Sequence, residues 1–128
     1  MNTQDILNYC YEMLNQPSKN ECVQTRNIVS RAYYFTYYEC INHVEKRLGW
    51  KETTSKGGIH ARMLSRLLDN TNADVQQQEE AASLYTRMNN LKKLRVRADY
   101  KLEVQIPRTT AKYCVAEVEK IAINLSSL

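Results

Sequence analysis

Apolar and aromatic side chains recur at intervals of three and four along positions about 21 to 48, the spacing of one face of a long α-helix. This face is formed by Val29, Tyr33, Tyr37, Ile41, Val44 and Leu48. Glycine occurs only three times and proline twice in the chain, whereas folds with many turns use more of both. The sequence therefore predicts long helices joined by few connections.

Four further helices are predicted from the same periodicity and from stop signals. The first covers about 5–15 and ends before Pro17, which biases the preceding residue away from helix. The others cover about 59–68, about 74–102 and, after Pro107, about 109–125. Moderate connections between long amphipathic helices imply antiparallel neighbours. We therefore predict one all-α domain over residues 1–128, an up-and-down bundle of four to five helices.

Membrane, secreted and metal-binding classes fit the sequence poorly. No apolar run is long enough to span a bilayer, and no signal peptide is visible, so a cytoplasmic location is predicted. The cysteines are far apart and form no C-x-x-C pair, so we expect reduced, buried thiols and neither a metal nor another cofactor. They are Cys10, Cys22, Cys40 and Cys114.

Basic residues cluster in the fourth predicted helix, in a chain of formal net charge +4. From position 87 to 101 there are six basic residues and a single acid, Asp99. The basic residues are Arg87, Lys92, Lys93, Arg95, Arg97 and Lys101. They form either a solvated face or a surface that attracts a polyanion such as RNA. In the second case Lys92, Lys93 and Arg97 are candidate binding residues.

Arg95 lies on the apolar face of this helix. That face contains Leu84, Met88, Leu91, Ala98 and Leu102, and at about 100° per residue Arg95 falls near its centre. Asp99 follows four residues later and can form an ion pair with Arg95. Burying a guanidinium is costly unless it is paired. The pair either fixes helix register in the core or lines a cleft or dimer interface, where Arg95 binds a phosphodiester.

Three segments in order resemble the HEPN family: "SRAYYFTYYECI", "KGGIHARML" and "LRVRADYKL". With the last helix, the resemblance covers most of the chain after Asn27. It implies an all-α bundle that usually dimerises, found with minimal nucleotidyltransferases and in prokaryotic defence and toxin systems. It also implies RNA as the target and, in many members, metal-independent endoribonuclease activity. The implied partners are a second copy of the chain and a cognate nucleotidyltransferase, antitoxin or larger defence complex.

The ribonuclease signature of that family is an arginine followed, after four to six residues, by a histidine. Arg95 matches the arginine, but the residue after the four-residue gap is Tyr100. A phenol, with a pKa of about 10, exchanges protons poorly near neutral pH. On an ideal helix Tyr100 also lies about 140° from Arg95. A two-fold dimer or a bend near Tyr100 is therefore expected to be needed before both act on one atom.

Residues outside the fourth helix complete the candidate site. His60 either supplies the missing imidazole to Arg95 or packs locally at the start of the third helix. Arg31 and Tyr34 share a second face of the long helix, so this helix is expected to be central or shared with a partner. Arg31 either packs on a tyrosine or reaches Asp99 or Tyr100, and Tyr34 is either core or a base-stacking residue. His43 is expected to be structural or exposed.

Three functional hypotheses follow. The first is a HEPN-type endoribonuclease or toxin-like effector acting as a homodimer, with Arg95, Asp99, Tyr100 and His60 as candidate catalytic residues. The second is a catalytically degenerate HEPN module that binds RNA, a nucleotide or a partner protein. The third is a helical scaffold in which the Arg95–Asp99 pair is purely structural.

Overall fold

Local side-chain chemistry sets where the helices begin and end. In a computed structural model that describes residues 1–128, the elements are α1 (Thr3–Asn15), α2 (Glu21–Cys40), a π-helical segment (Ile41–Arg47), α3 (Ile59–Ser65), α4 (Val75–Tyr100) and α5 (Arg108–Ser126). Asn2 caps α1 and Asp74 caps α4, each in a reciprocal capping box with the residue three positions later. The prediction of an all-α fold is confirmed, with boundaries that differ by a few residues.

The second helix changes pitch within the predicted range. It is α-helical to Cys40, and the next seven residues are π-helical, so that the Leu48 amide donates to the His43 carbonyl. Gly49 ends the segment with a φ of +68°, a left-handed conformation that glycine adopts without steric cost. The predicted length of this helical run is therefore confirmed, but the uniform pitch is wrong.

Helix α2 lies at the centre of the bundle, as its two covered faces indicated. It packs against α1, α4 and α5. Thr3 at the start of α1 bonds Glu39 near the end of α2, and Arg26 near the start of α2 bonds the Ala98 carbonyl near the end of α4. Helices α1 and α4 therefore run antiparallel to α2. This is the arrangement of an up-and-down bundle.

The core is apolar and largely formed as predicted, with two exceptions. Cys10, Cys40 and Cys114 are buried and unpaired, but Cys22 is exposed in the first turn of α2. Leu102 is 77% exposed because α4 ends at Tyr100, two residues earlier than expected. None of the helices combines the length and apolarity that crossing a membrane requires.

Candidate functional site

Arg95 lies on the buried face of α4, between Leu91 and Ala98, and only 8% of its surface is exposed. Its Nη1 donates to Oδ2 of Asp99 at 3.2 Å and, at a longer 3.4 Å, to the Tyr34 hydroxyl. The ion pair expected from the four-residue spacing is therefore present. It joins the buried face of α4 to the tyrosine-bearing face of α2.

The guanidinium of Arg95 retains hydrogen-bonding capacity. Its Nε is buried and has no partner. Its Nη2 makes no hydrogen bond of standard geometry within the chain. Part of the Nη2 surface is accessible to solvent. Buried donors without acceptors are costly and uncommon in native proteins. Nη2 is thus the nitrogen that a ligand can reach, whereas Nε is sealed from solvent, as are the Nε atoms of Arg62 and Arg66.

Aromatic rings surround this cation. The Arg95 Cζ atom lies 5.6 Å from the ring centres of Tyr33 and Tyr34 and 5.8 Å from that of Tyr100. These distances are in the range of cation–π attraction. Burial lowers the pKa of Arg95, but nearby Tyr34, Tyr100 and Asp99 outweigh burial and hold that pKa above its ordinary value. The guanidinium of Arg95 therefore stays protonated.

Tyr100 is nearer to Arg95 than ideal helix geometry indicated. It is the last residue of α4, 71% exposed, and its ring reaches the guanidinium within one chain. The two side chains therefore meet without a second copy of the chain, while the need for a dimer or a bend before both act on one atom stays a prediction. The arginine and tyrosine side chains are both long enough to close the angular gap.

Asp99 is held from two helices. Its Oδ2 accepts hydrogen bonds from Arg95 and, at 3.2 Å, from the Ser30 hydroxyl of α2. The Asp99 side chain remains 27% exposed. Sequence reasoning missed Ser30. The available signal was its position one turn before Tyr34, on the same face of α2.

His60 enters the site from the start of α3. Its Nδ1 lies 3.0 Å from the Tyr33 hydroxyl, and its ring centre is 4.6 Å from that of Tyr37. Burial, followed by the charges of Arg95 and Lys92, lowers its pKa, so the ring is neutral at pH 7. His60 makes no hydrogen bond to Arg95. It therefore packs on the tyrosines of α2 while lying close enough to Arg95 to be affected by its charge.

The remaining predicted residues divide into two groups. Arg31 packs over the Tyr34 ring at 4.9 Å, which is the cation–π alternative, and has no hydrogen bond to Asp99 or Tyr100. Lys92 is half-buried near His60. Lys93 and Arg97 are exposed. The structure therefore brings Arg31, Tyr34 and Lys92 to the site but leaves Lys93 and Arg97 on the solvent face.

The end of α4 is fixed by Arg26, which sequence reasoning did not identify. Its Nη1 donates to the carbonyls of Arg97 and Ala98, both at 3.0 Å, and of Lys101 at 3.2 Å. These carbonyls lie in the last turn of α4 or just beyond it, where the helix supplies few backbone donors. A cleft of about 560 Å³ lies beside Arg26, between the start of α2 and residues 102–108, and does not include Arg95. That cleft is thus separate from the predicted site.

His43, the second histidine, has a structural role. It lies 3.4 Å from the Glu39 carboxylate and accepts a hydrogen bond from Arg47 Nε at 3.2 Å. This confirms the expectation for that residue. It takes no part in the cluster around Arg95.

The fold and the site together define a helical bundle with a nearly buried, partly paired arginine beside a cluster of tyrosines. Comparison with protein families, curated proteins and solved structures finds no match to this chain. No group of three or more His, Cys, Asp or Glu side chains is placed to hold a metal ion. Chemically, the arrangement offers a fixed cation, a neutral imidazole and exposed phenol and carboxylate groups. An oxyanion is the ligand that this set suits.

Proposed function

We propose that this protein is a HEPN-type RNA-targeting protein that acts as a homodimer and cleaves RNA without a metal ion. The observation that carries the proposal is the unsatisfied edge of Arg95. A guanidinium that is nearly buried, oriented by Asp99 and still short of acceptors is suited to an incoming phosphate. The three segments that resemble the HEPN family contribute Arg95, His60 and Tyr34, which the fold places together.

The proposed reaction uses the RNA itself as nucleophile. The 2′-hydroxyl gives up its proton to solvent as its oxygen attacks the adjacent phosphorus. The bond to the 5′-oxygen breaks, which leaves a 2′,3′-cyclic phosphate, and the departing 5′-oxygen takes up a proton. Arg95 holds the phosphate and stabilises its developing negative charge. Asp99 orients Arg95, and Tyr100 and His60 are the groups near enough to exchange protons or donate hydrogen bonds.

Exposed apolar side chains beside the site support the homodimer. Tyr38 packs on Tyr34, Ile59 precedes His60, and Tyr100 contacts Arg95, and all three are large and exposed. Exposed apolar surface of this kind often marks an interaction site. A second copy placed here would cover these residues and enclose the Arg95 edge from two sides.

The proposal is tested by incubating the purified protein with total RNA in EDTA. We expect cleavage by the wild type and none by Arg95→Met. Methionine has a similar volume to arginine but no charge. The Asp99 carboxylate that loses its partner is partly exposed, so water can solvate it and the variant is expected to fold. Circular dichroism and thermal unfolding establish that the variant is folded.

Arg97→Met is the matched control, because it removes the same charge from the exposed face of the same helix. It should cleave RNA nearly as well as the wild type. Loss of cleavage in both variants would instead indicate a general basic surface. Intact RNA with the wild-type protein would rule out the cleavage step under these conditions.

One observation favours a second candidate, a HEPN-type module that binds RNA without cutting it. His60 does not hydrogen-bond to Arg95, and its lowered pKa disfavours the imidazolium form at neutral pH. The binding module predicts retention of labelled RNA with no product and the same dependence on Arg95. The cleavage assay and a binding assay on the same samples separate the two candidates.

A further inference from the structure

The Tyr33 hydroxyl is buried and has a single polar neighbour. Tyr33 is 1% exposed, and its hydroxyl contacts only Nδ1 of His60, at 3.0 Å. Burial raises the pKa of this phenol, so it keeps its proton. A buried hydroxyl proton needs an acceptor, and His60 Nδ1 is the acceptor that the structure provides.

This contact determines which nitrogen of the neutral His60 ring carries the proton. If Nδ1 were protonated, it would donate to the Tyr33 oxygen, and the phenol proton would have no acceptor in the core. If Nδ1 is unprotonated, the phenol donates to it and both groups are satisfied. The ring proton then resides on Nε2. Nε2 makes no hydrogen bond within the chain, and part of its surface is accessible to solvent.

We propose that Tyr33 is a positioning residue that fixes His60 as an Nε2–H donor, so that His60 binds an anionic oxygen at the Arg95 site and does not act as a base. The identity of the ligand rests on the proposed RNA-directed function. The assignment of the tautomer rests only on the Tyr33–His60 contact. His60 then supplies a second donor within the cluster that contains Arg95. The base for any cleavage step must then be another group.

The charges around His60 agree with a neutral donor. From α4, Lys92 and Arg95 oppose protonation of the ring, and the groups facing it from α2 are the neutral phenols of Tyr33, Tyr34 and Tyr37. No carboxylate hydrogen-bonds to the imidazole. A neutral N–H can approach a phosphate oxygen without needing a proton from solvent.

The tautomer is tested by NMR of the ring nitrogens of His60 in the ligand-free protein. We expect the Nε2-protonated form, and a rise of the His60 pKa by about one pH unit in Tyr33→Phe, since the lost hydrogen bond stabilised the neutral ring. Tyr37→Phe is the matched control, because its ring touches His60 but its hydroxyl does not bond to it. An Nδ1-protonated ring, or a pKa that falls in Tyr33→Phe, overturns the inference.

The donor role is tested by the affinity for a labelled RNA oligomer in EDTA. Glutamine can place an amide N–H near the position of Nε2 but cannot act as a base, whereas alanine offers neither. We expect His60→Gln to bind about tenfold more tightly than His60→Ala, the effect of one hydrogen bond to a charged group. Equal affinities contradict the donor role. Failure of the wild type to bind RNA overturns the proposed function instead, and the NMR measurement still decides the tautomer.

Discussion

At the scale of single residues, the chemistry of the site depends on how incompletely Arg95 is satisfied. Asp99 and Tyr34 both meet Nη1, while Nε has no partner. A pair that served only to fix helix register would be expected to use more of the five guanidinium donors. The geometry therefore suits a cation held ready for an additional acceptor.

Replacing Arg95 by lysine separates charge from shape. Lysine keeps the positive charge and can pair with Asp99, but it lacks the planar set of donors that matches a phosphate. We expect Arg95→Lys to lose about tenfold or more in RNA affinity while its melting temperature stays within a few degrees of the wild type. Fluorescence anisotropy and thermal unfolding check both values. An unchanged affinity would mean that charge alone is recognised.

Protonation of His60 links stability to pH. Because the folded state lowers its pKa below the ordinary 6.5, the unfolded chain binds more protons between those two values. The free energy of unfolding contributed by His60 is therefore fully present above pH 6.5 and declines as the pH falls through that window. We expect the wild type to lose more stability than His60→Gln between pH 7.5 and pH 5, in urea titrations at each pH. An equal loss in both proteins would contradict the shifted pKa.

At the scale of elements, two arginines attach helix ends to the central helical run. Arg26 binds carbonyls at the end of α4, and Arg47 binds the Leu125 and Leu128 carbonyls at the end of α5. We expect Arg26→Ala to speed amide hydrogen exchange in residues 97–101 only, and Arg47→Ala to do so in residues 122–126 only. If Arg26→Ala leaves the end of α4 as protected as before, these contacts do not hold the site in place.

Gly49 and Gly58 differ in backbone conformation, so alanine substitutions at these two positions form a matched pair. Gly49 has a φ of +68°, and no atom lies within 4 Å of the position that a β-carbon would take, so alanine there costs backbone strain only. We expect Gly49→Ala to destabilise the fold by about 1 kcal/mol. Gly58→Ala should change stability by less than about 0.5 kcal/mol, because Gly58 has an ordinary extended backbone and open space. Urea denaturation measures both, and equal effects would contradict the assignment of strain to Gly49.

Some features of the structure could be predicted from the sequence, and others could not. Four-residue spacing was enough to predict the Arg95–Asp99 pair, and apolar periodicity predicted all five helices. Periodicity could not reveal the π-helical segment, because the predicted core residue Val44 is buried there despite the change in hydrogen bonding. The bonds from Ser30 to Asp99 and from Arg26 to the end of α4 join residues about seventy positions apart. A local pattern can place Ser30 on the face of Tyr34, but it cannot identify the partner on another helix.

At the scale of the whole molecule, the buried thiols report whether the bundle is intact. Burial raises the pKa of Cys10 to about 11 and of Cys40 and Cys114 to about 12, so these thiols stay protonated at pH 8. Cys22 is exposed. We expect a thiol reagent at pH 8 to modify Cys22 rapidly and the other three only after unfolding. Rapid modification of two or more cysteines in the native protein would contradict the packing.

The most direct test of the central claim compares RNA affinity in EDTA for the wild type, Arg95→Met and Arg97→Met. The account predicts that Arg95→Met weakens RNA binding by about tenfold or more, because it removes the partly paired guanidinium. Arg97→Met, which removes an exposed guanidinium, should weaken RNA binding by about twofold. Equal losses in the two variants, or wild-type affinity in Arg95→Met, would contradict it.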